Sequence, residues 1–369
     1  MNEERETVPV SVLTGFLGSG KTTLLNRLLV HPDMGETAVV VNEFGAIGID
    51  NALVERAEDD VILMSSGCLC CTVRGELVDT LRSLYLRRVK QQIPEFKRLV
   101  IETTGLADPA PIIHTLMSDP YLQAHYRLDG IITTVDAVNG GGTLDNHEES
   151  VKQAAVADRI VLTKTDMPEA SARAALEERL RRLNPAAPIQ PVSFGEVEPN
   201  DLFGAGLYDP KTKTLDVQRW LQEEAYVEPH DHAHEHGHDH GHDHGHDDAP
   251  GGQDPHDVNR HDASVRAFCL YIDEPMPWNL AVTWLEMLAN YRGQDMLRVK
   301  GLLNVEESED KPIVIHGAQH LFHPPVQLDE WPSDDRRTRV VFITRNMGPE
   351  HVEDMLKTLK DANVNVKMV

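Results

Sequence analysis

Cysteine is scarce in this chain: four in 369 residues, three of them within the stretch SSGCLCCT (65–72) as Cys68, Cys70 and Cys71. So few thiols exclude the dense disulfide framework of a small secreted domain. Basic charge is scarce too. Lys and Arg number 35 against 60 Asp and Glu, a net charge of −25 with His neutral. That balance excludes nucleic acid as the main partner, because phosphate backbones need a dense basic footprint. It also argues against docking on an anionic membrane surface. No run approaches the roughly 20 apolar residues of a membrane span. The N-terminus MNEERETVPVSV has neither a basic n-region nor an apolar h-region, so no signal peptide is expected. The expected compartment is the cytoplasm, where a cysteine cluster is more often metal-binding or catalytic than disulfide-bonded. The rest is of globular composition, 40% hydrophobic and 26% charged, and long enough for two ordinary domains.

The first ~200 residues alternate strand-like and helix-like runs. Strands are expected at 8–15, 37–45, 60–64, 97–105, 128–137 and 157–166, and helices at 21–30, 75–89, 107–117 and 168–183. Several strand runs are continuously apolar, as in a parallel sheet covered on both faces. Asp108 and Pro109 suit the start of the 107–117 helix. This alternation implies a doubly wound α/β domain over 1–205. A polar linker follows over 206–263. Within it His occupies all nine even positions from 230 to 246: His230, His232, His234, His236, His238, His240, His242, His244 and His246. Such a tract cannot bury a core. Over 264–369, strands at 264–273, 295–305, 311–323 and 337–345 with helices at 278–291 and 349–362 imply a small α+β domain.

GFLGSGKTT (15–23) joins the first strand to the first helix and matches G-x-x-x-x-G-K-[ST]. The glycines let backbone N–H groups turn toward phosphate oxygens, and the helix N-terminus adds its partial positive charge. The expected phosphate-binding set is Gly15, Gly18, Ser19, Gly20, Lys21, Thr22 and Thr23. Lys21 reaches the β- and γ-phosphates, and the Thr22 hydroxyl ligates Mg²⁺.

LTKTD (162–166) resembles the base-reading N-K-x-D motif of GTPases, with Thr163 in place of Asn. Asp166 would accept from the N–H donors of guanine while the Lys164 stem packs on the ring. Adenine presents the opposite donor pattern, so the expected nucleotide is GTP. PVSFGE (191–196) offers Ser193, Phe194 and Gly195 as a second base-contacting loop. LVIETTG (99–105) carries E-x-x-G where many GTPases carry D-x-x-G. Glu102 is expected in the Mg²⁺ shell or ordering water, and Gly105 at the γ-phosphate. With Lys21 these are the expected catalytic residues. VNEFGAIGID (41–50) is a candidate switch loop, with Asn42, Glu43 and Asp50 as possible contacts.

The ordered set GFLGSGKTT, NEFG, GCLCC, ETTGLADP and LTKTD resembles the CobW family of P-loop GTPases. These are metal-handling relatives of the nickel-insertion GTPases of urease and hydrogenase maturation. The His-rich linker and the segments RVKG (298–301), HGAQH (316–320) and RVVFITR (339–345) are similar to that family as well. The resemblance implies a GTP-dependent metallochaperone or metal-insertion factor serving zinc or cobalt. The expected cofactor is Mg²⁺ with GTP, the cargo Zn²⁺ or Co²⁺, and the further partner a client metalloprotein.

Thiolates suit such ions. Cys68, Cys70 and Cys71 can share one ion if the loop folds back, yet they fall short of a closed four-ligand site. An incomplete shell suits an ion that is passed on. Glu43 and His114 are nearby candidate ligands, although a lone His on an apolar helix face is more often structural. A redox pair and a small buried thiol cluster are the other readings, and Cys269 reads as a core residue. The His tract is expected to collect metal weakly, losing capacity below about pH 6 as imidazole protonates. The expected mechanism is a γ-phosphate switch. GTP orders the loops around 42–50 and 102–108, the thiolates hold the ion, and hydrolysis releases it to the client. The alternatives are a nickel-insertion GTPase, a metal buffer with a vestigial nucleotide site, or a signalling GTPase whose cysteines are incidental. HGAQH offers a ligand pair, but a turn between strands is the expected reading.

Overall fold

In VPVSVLTG, Val10 and Val12 enter one hydrophobic cluster and Leu13 another. Successive side chains of a strand point to opposite faces, so this strand must be covered on both. A computed structural model describes residues 7–41, 61–65, 74–204, 264–308 and 310–362. Among these, seven strands form a parallel sheet: β1 (Val8–Gly15), β2 (Thr37–Val41), β3 (Val61–Ser65), β4 (Arg98–Glu102), β5 (Tyr126–Asp136), β6 (Arg159–Thr163) and β7 (Ile189–Pro191). Their order is β3-β2-β4-β1-β5-β6-β7, every pair parallel. The covering helices are α1 (Lys21–Leu29), α2 (Arg74–Val89), α3 (Ala110–Ser118), α4 (Pro120–His125), α5 (Gly140–Asn146), α6 (Glu148–Val156), α7 (Ala170–Leu183) and α8 (Pro199–Leu202). Leu24, Leu25 and Leu28 of α1 fill one face with Leu13, Val39 and Val161. Residues of α2, α3, α6 and α7 fill the other.

Because all strands run the same way, their C-terminal ends share one edge. The chain leaves β1 at the point where strand order reverses, the place where open α/β sheets bind ligands. Register fixes the neighbours along that edge. Gly15 pairs with Thr134, Asp136 with Thr163, and Val41 with both Ser65 and Glu102.

The C-terminal part is antiparallel: β8 (Val265–Ile272), β9 (Met296–Leu303), β10 (Ile313–Ala318), β11 (Leu321–Phe322), β12 (Val326–Gln327) and β13 (Thr338–Arg345), with helices α9 (Trp278–Arg292) and α10 (Pro349–Asp361). The order is β11-β10-β9-β13-β8, with β12 on β10. Trp284, fully buried between the helices and the sheet, meets Phe342 edge-on at 6.1 Å and donates from Nε1 to the Val352 carbonyl at 3.3 Å. The two sheets share a core, since Leu297, Ala318 and Ile343 join the cluster built by α2, α3, α6 and α7. Beside it, Asp158 is buried against Arg298 and Lys300 of β9.

Three expectations shift. The run 311–323 is not one strand. It turns at Gln319 and His320, where Gln319 takes φ 54°, so HGAQH is strand through Ala318 and turn only at its end. Helices α4, α5, α6 and α8 and strands β7 and β12 were not expected. Three consecutive glycines at 140–142 weigh against a helix by about 1 kcal/mol each, and the buried Leu144 and Val151 prevail. The expected strand at 97–105 ends at Glu102, and of the one expected at 37–45 the described residues give Thr37–Val41. The linker 206–263 lies outside the described residues.

Candidate functional site

Gly15 ends β1 so tightly against β5 that a Cβ there would lie 2.3 Å from Thr134 Oγ1 and 2.4 Å from its carbonyl oxygen. From there the loop to α1 is held by its own polar atoms. Ser19 N donates to the Phe16 carbonyl at 3.1 Å, and Ser19 Oγ bonds Thr134 Oγ1 at 2.6 Å. Two loop carbonyls are taken from β6 and beyond: Thr163 Oγ1 donates to Ser19 O at 2.7 Å and Lys164 Nζ to Gly18 O at 2.9 Å. Lys21 is 8% exposed and donates from Nζ to Gly15 O at 2.8 Å and Phe16 O at 3.1 Å. The loop therefore carries its ammonium group inside its own curve.

At the end of β4, Glu102 is 3% exposed and its Oε1 accepts from Thr22 Oγ1 at 2.7 Å. A hydroxyl and a carboxylate so placed are the hard oxygen donors that Mg²⁺ prefers. Thr103 locks the strand end to β1, donating from N to Leu13 O at 2.9 Å and from Oγ1 to Thr14 Oγ1 at 2.8 Å. Gly105 then passes so close to the phosphate loop that a Cβ would sit 2.6 Å from Leu17 N. The fully buried Gln153 of α6 fixes this segment, donating from Nε2 to Gly105 O at 3.2 Å and Ala107 O at 2.9 Å.

Lys164 has φ 56°, and its ammonium joins the Gly18 carbonyl to Asp136 Oδ2, 2.7 Å away. Asp136 Oδ1 accepts from Val138 N at 2.8 Å and Asn139 N at 3.2 Å, and Oδ2 from Asn139 Nδ2 at 2.9 Å. Burial pushes the Asp136 carboxyl up, but the Lys164 bond, then those from Asn139 and Val138, outweigh it and hold it below its ordinary value. Asp166 lies on the same turn, closed by Met167 N donating to Lys164 O at 3.1 Å. Thr165 Oγ1 bonds Ser193 Oγ at 2.8 Å, which ties LTKTD to PVSFGE. A cavity of about 220 Å³ opens beside the loop, lined among others by Phe16, Gly18, Asp136, Gln153 and Lys164. Leu17, Leu106, Val138, Met167 and Phe194 expose their apolar side chains.

The strand ends thus bring together the phosphate loop, Glu102, Gly105, Thr163, Lys164 and Asp166. Thr163 differs from a simple base contact, since its hydroxyl is spent on Ser19 O and Val135 O. Asn42, Glu43, Asp50, Cys68, Cys70, Cys71 and the nine histidines of 230–246 lie outside the described residues. Among the described residues no group of three His, Cys, Asp or Glu is placed to hold a metal. His114 is half-buried on α3, and Cys269 is half-buried on β8 rather than deep in the core. Sequence reasoning missed Thr134, Asp136 and Gln153. Only Asp136 carried a signal, as an acid ending a strand at the loop-bearing edge.

Two family profiles match this chain: "CobW/HypB/UreG, nucleotide-binding domain" over residues 9–191 and "Cobalamin synthesis protein cobW C-terminal domain" over 265–360. A zinc chaperone CobW of Sinorhizobium is 30% identical over 254 residues, covering 61% of this chain and 70% of that protein. The chain belongs to the CobW family. The zinc chaperone YjiA of Escherichia coli is 42% identical over 196 residues, 53% of this chain. That stretch spans 61% of YjiA, under two thirds of its length. The solved structure of Zn(II)-bound YjiA GTPase superposes with a TM-score of 0.67 at 27% identity, covering 96% of this chain and 99% of that one. The parallel sheet with its phosphate loop and the C-terminal antiparallel sheet are therefore a CobW-family architecture. No described helix is long and apolar enough to cross a membrane.

Proposed function

We propose that this chain is a GTP-hydrolysing zinc chaperone. It holds Zn²⁺, or Co²⁺, on Cys68, Cys70 and Cys71 and hands it to a client metalloprotein under control of the nucleotide. The proposed division is a GTPase domain over 1–205, a collecting linker over 206–263 and a C-terminal domain over 264–369. The family matches at 9–191 and 265–360 support it, and the zinc chaperones among the relatives support the cargo. One observation carries the coupling. Val41 pairs with Glu102 on one side and with Ser65 on the other. Ser65, three residues before Cys68, is thus level with Glu102, two strand spacings or about 10 Å away.

In this reading Lys21 and the phosphate-loop amides cradle the β- and γ-phosphates. Thr22 and Glu102 would hold Mg²⁺, which neutralises charge building on the phosphate oxygens. Gly105, pressed against Leu17, meets the γ-phosphate through its N–H. Lys164, braced by Asp136 and Gly18 O, lays its stem against the base, and Asp166 accepts from guanine. Loss of the γ-phosphate frees Gly105, and the loosened edge weakens the thiolate grip on the ion.

Zinc affinity measured with a non-hydrolysable GTP analogue against GDP tests the reading. Tighter zinc binding in the GTP-like state is expected, and its loss when Cys68, Cys70 and Cys71 become Ser. Equal affinities in the two nucleotide states would overturn it.

A further inference from the structure

Where α6 meets the C-terminal sheet there is a second cavity, of about 170 Å³. It is lined among others by Glu148, Val151 and Lys152 of α6 and, across the boundary, by Leu297, Arg345 and Asn346. Val151 and Leu297 are buried and give it apolar walls. Its charges do not balance. Lys152 Nζ lies 3.1 Å from Glu148 Oε1, and Arg345 Nη1 bonds the same oxygen. Two cations thus share one carboxylate oxygen, in a chain whose net charge is −25. Glu148 is the loosest of the three, its side chain 45% exposed against 23% for Lys152 and for Arg345. The guanidinium has donors to spare. Glu148 engages Nη1, while Nε is buried with no hydrogen-bond partner among the described residues. The fork on which Nε lies matches the oxygen spacing of a carboxylate or a phosphate. The backbone holds that fork in place. Arg345 N donates to Asp295 O and Asn346 N to Ser264 O, each at 2.7 Å, and Asn346 turns the chain with φ 55°.

We propose that this cavity binds a small oxyanion, a free phosphate or carboxylate, between Lys152 and Arg345. The anion takes the place of Glu148, which swings out to solvent, and draws the guanidinium fork toward the cavity. The surplus positive charge supplies the attraction, and partial burial of both cations limits its screening by salt. The cavity is far larger than one water needs, so a four-oxygen anion has room. Helix α6 also carries Gln153, whose amide grips the Gly105 and Ala107 carbonyls. A bound anion would therefore fasten the helix behind the sensor segment to the end of β13. The site uses neither the thiolates nor the nucleotide, so it goes beyond the proposed function and does not depend on it.

Hydrogen exchange on the full chain, titrated with inorganic phosphate or with acetate at constant ionic strength, reads the site locally. Exchange at amides of 148–152 and 345–347 is expected to slow by about tenfold once the anion stands at ten times its Kd, because protection grows as 1 + [L]/Kd. Protection by phosphate alone, or by acetate alone, identifies which oxyanion the site takes. Arg345→Gln and Lys152→Gln should each weaken binding by about 10–100-fold, the usual loss of a charge-assisted bond. Glu148→Gln removes the resident competitor and should tighten binding by about tenfold. A Lys21→Ala chain should keep the protection, which separates this site from anion binding in the phosphate loop. Anion-free exchange of β1 and β9 checks that each variant folds. If Arg345→Gln loosens the domain boundary, Glu148→Gln decides alone, since a gain in affinity cannot come from misfolding. No protection by either anion, protection unchanged by Arg345→Gln, or a Glu148→Gln chain that binds no more tightly than the unaltered one would overturn the proposal.

Discussion

Asp158→Asn isolates the charge cluster that joins the two sheets. The aspartate side chain has no exposed surface, and those of Arg298 and Lys300 are 5% and 9% exposed. Its Oδ1 accepts from Lys300 Nζ at 2.7 Å and bonds Arg298, and its Oδ2 accepts from Ile131 N at 2.9 Å. Asparagine keeps the shape and the Ile131 bond but removes the negative charge, leaving two buried cations side by side. Breaking a buried ion pair by removing one partner costs about 3–5 kcal/mol. With two cations losing one anion, the upper half of that range is expected. At about 2–4 °C per kcal/mol, the melting temperature falls by about 8–20 °C. Urea unfolding, with the midpoint converted through an unchanged slope, measures the same loss. Replacing the whole trio by apolar residues of similar volume should recover most of it, because no buried charge then remains. pH gives a second readout. Burial pushes the Asp158 carboxyl up, but Arg298 and Lys300 outweigh it and hold it below its ordinary value. Its stabilisation is therefore full above the unfolded carboxylate value of about 3.9 and is lost as pH falls through the lower folded one. The variant should lack that part of the acid limb. A loss under about 1 kcal/mol, the size of an exposed pair, would refute the reasoning.

Asp136→Ala should weaken GTP and GDP binding alike by about 10–100-fold, the value of a charge-assisted bond to Lys164 of about 1.5–3 kcal/mol, as read by fluorescent-nucleotide titration. Asp166→Asn should lower GTP affinity and raise that for xanthosine triphosphate, whose extra carbonyl accepts from the new amide, as read by competition between the two. Gln153→Leu removes the grip on Gly105 and Ala107 and should lower kcat about tenfold with GDP affinity unchanged, since a γ-phosphate contact is absent in the GDP state.

The phosphate loop was legible because one unbroken stretch encodes its chemistry: glycines, then lysine and threonine opening a helix. The turn that carries Lys164 and Asp166 beside that loop was legible for the same reason. Their braces were not. Asp136 meets Lys164 only because β5 and β6 pair Asp136 with Thr163, and Ser19 meets Thr134 only because β1 and β5 lie side by side. Nothing in sequence spacing foretells such partners, which depend on strand order. The parallel strands announced themselves by apolar runs buried on both faces. Helix α5 stayed hidden, because its glycine-rich propensity pointed away and tertiary packing decided. The turn at Gln319 and His320 likewise hides inside a strand-like run, and the facing of His320 by His114 follows from docking of the two sheets.

The sensor segment is gripped from the C-terminal side as firmly as from the nucleotide side. Gln153 bonds two of its carbonyls, and α6, which carries Gln153, packs on β9. Asp108 bonds Gln319. Toward the nucleotide, Gly105 abuts Leu17 with no room for a methyl group. Each of these three hydrogen bonds is worth about 0.5–1.5 kcal/mol net, so together they amount to a few kcal/mol. Coupling energies between distant sites are of the same order, about 1–3 kcal/mol. Stronger ties would fix the segment in one state whatever the nucleotide, and weaker ones would let Gly105 move unnoticed by the C-terminal domain. At this strength, a shift of Gly105 large enough to lose the γ-phosphate also strains or breaks bonds to α6 and Gln319. Under the proposed function, the C-terminal domain is thus built into the switch, and a client resting on either domain would feel the nucleotide state.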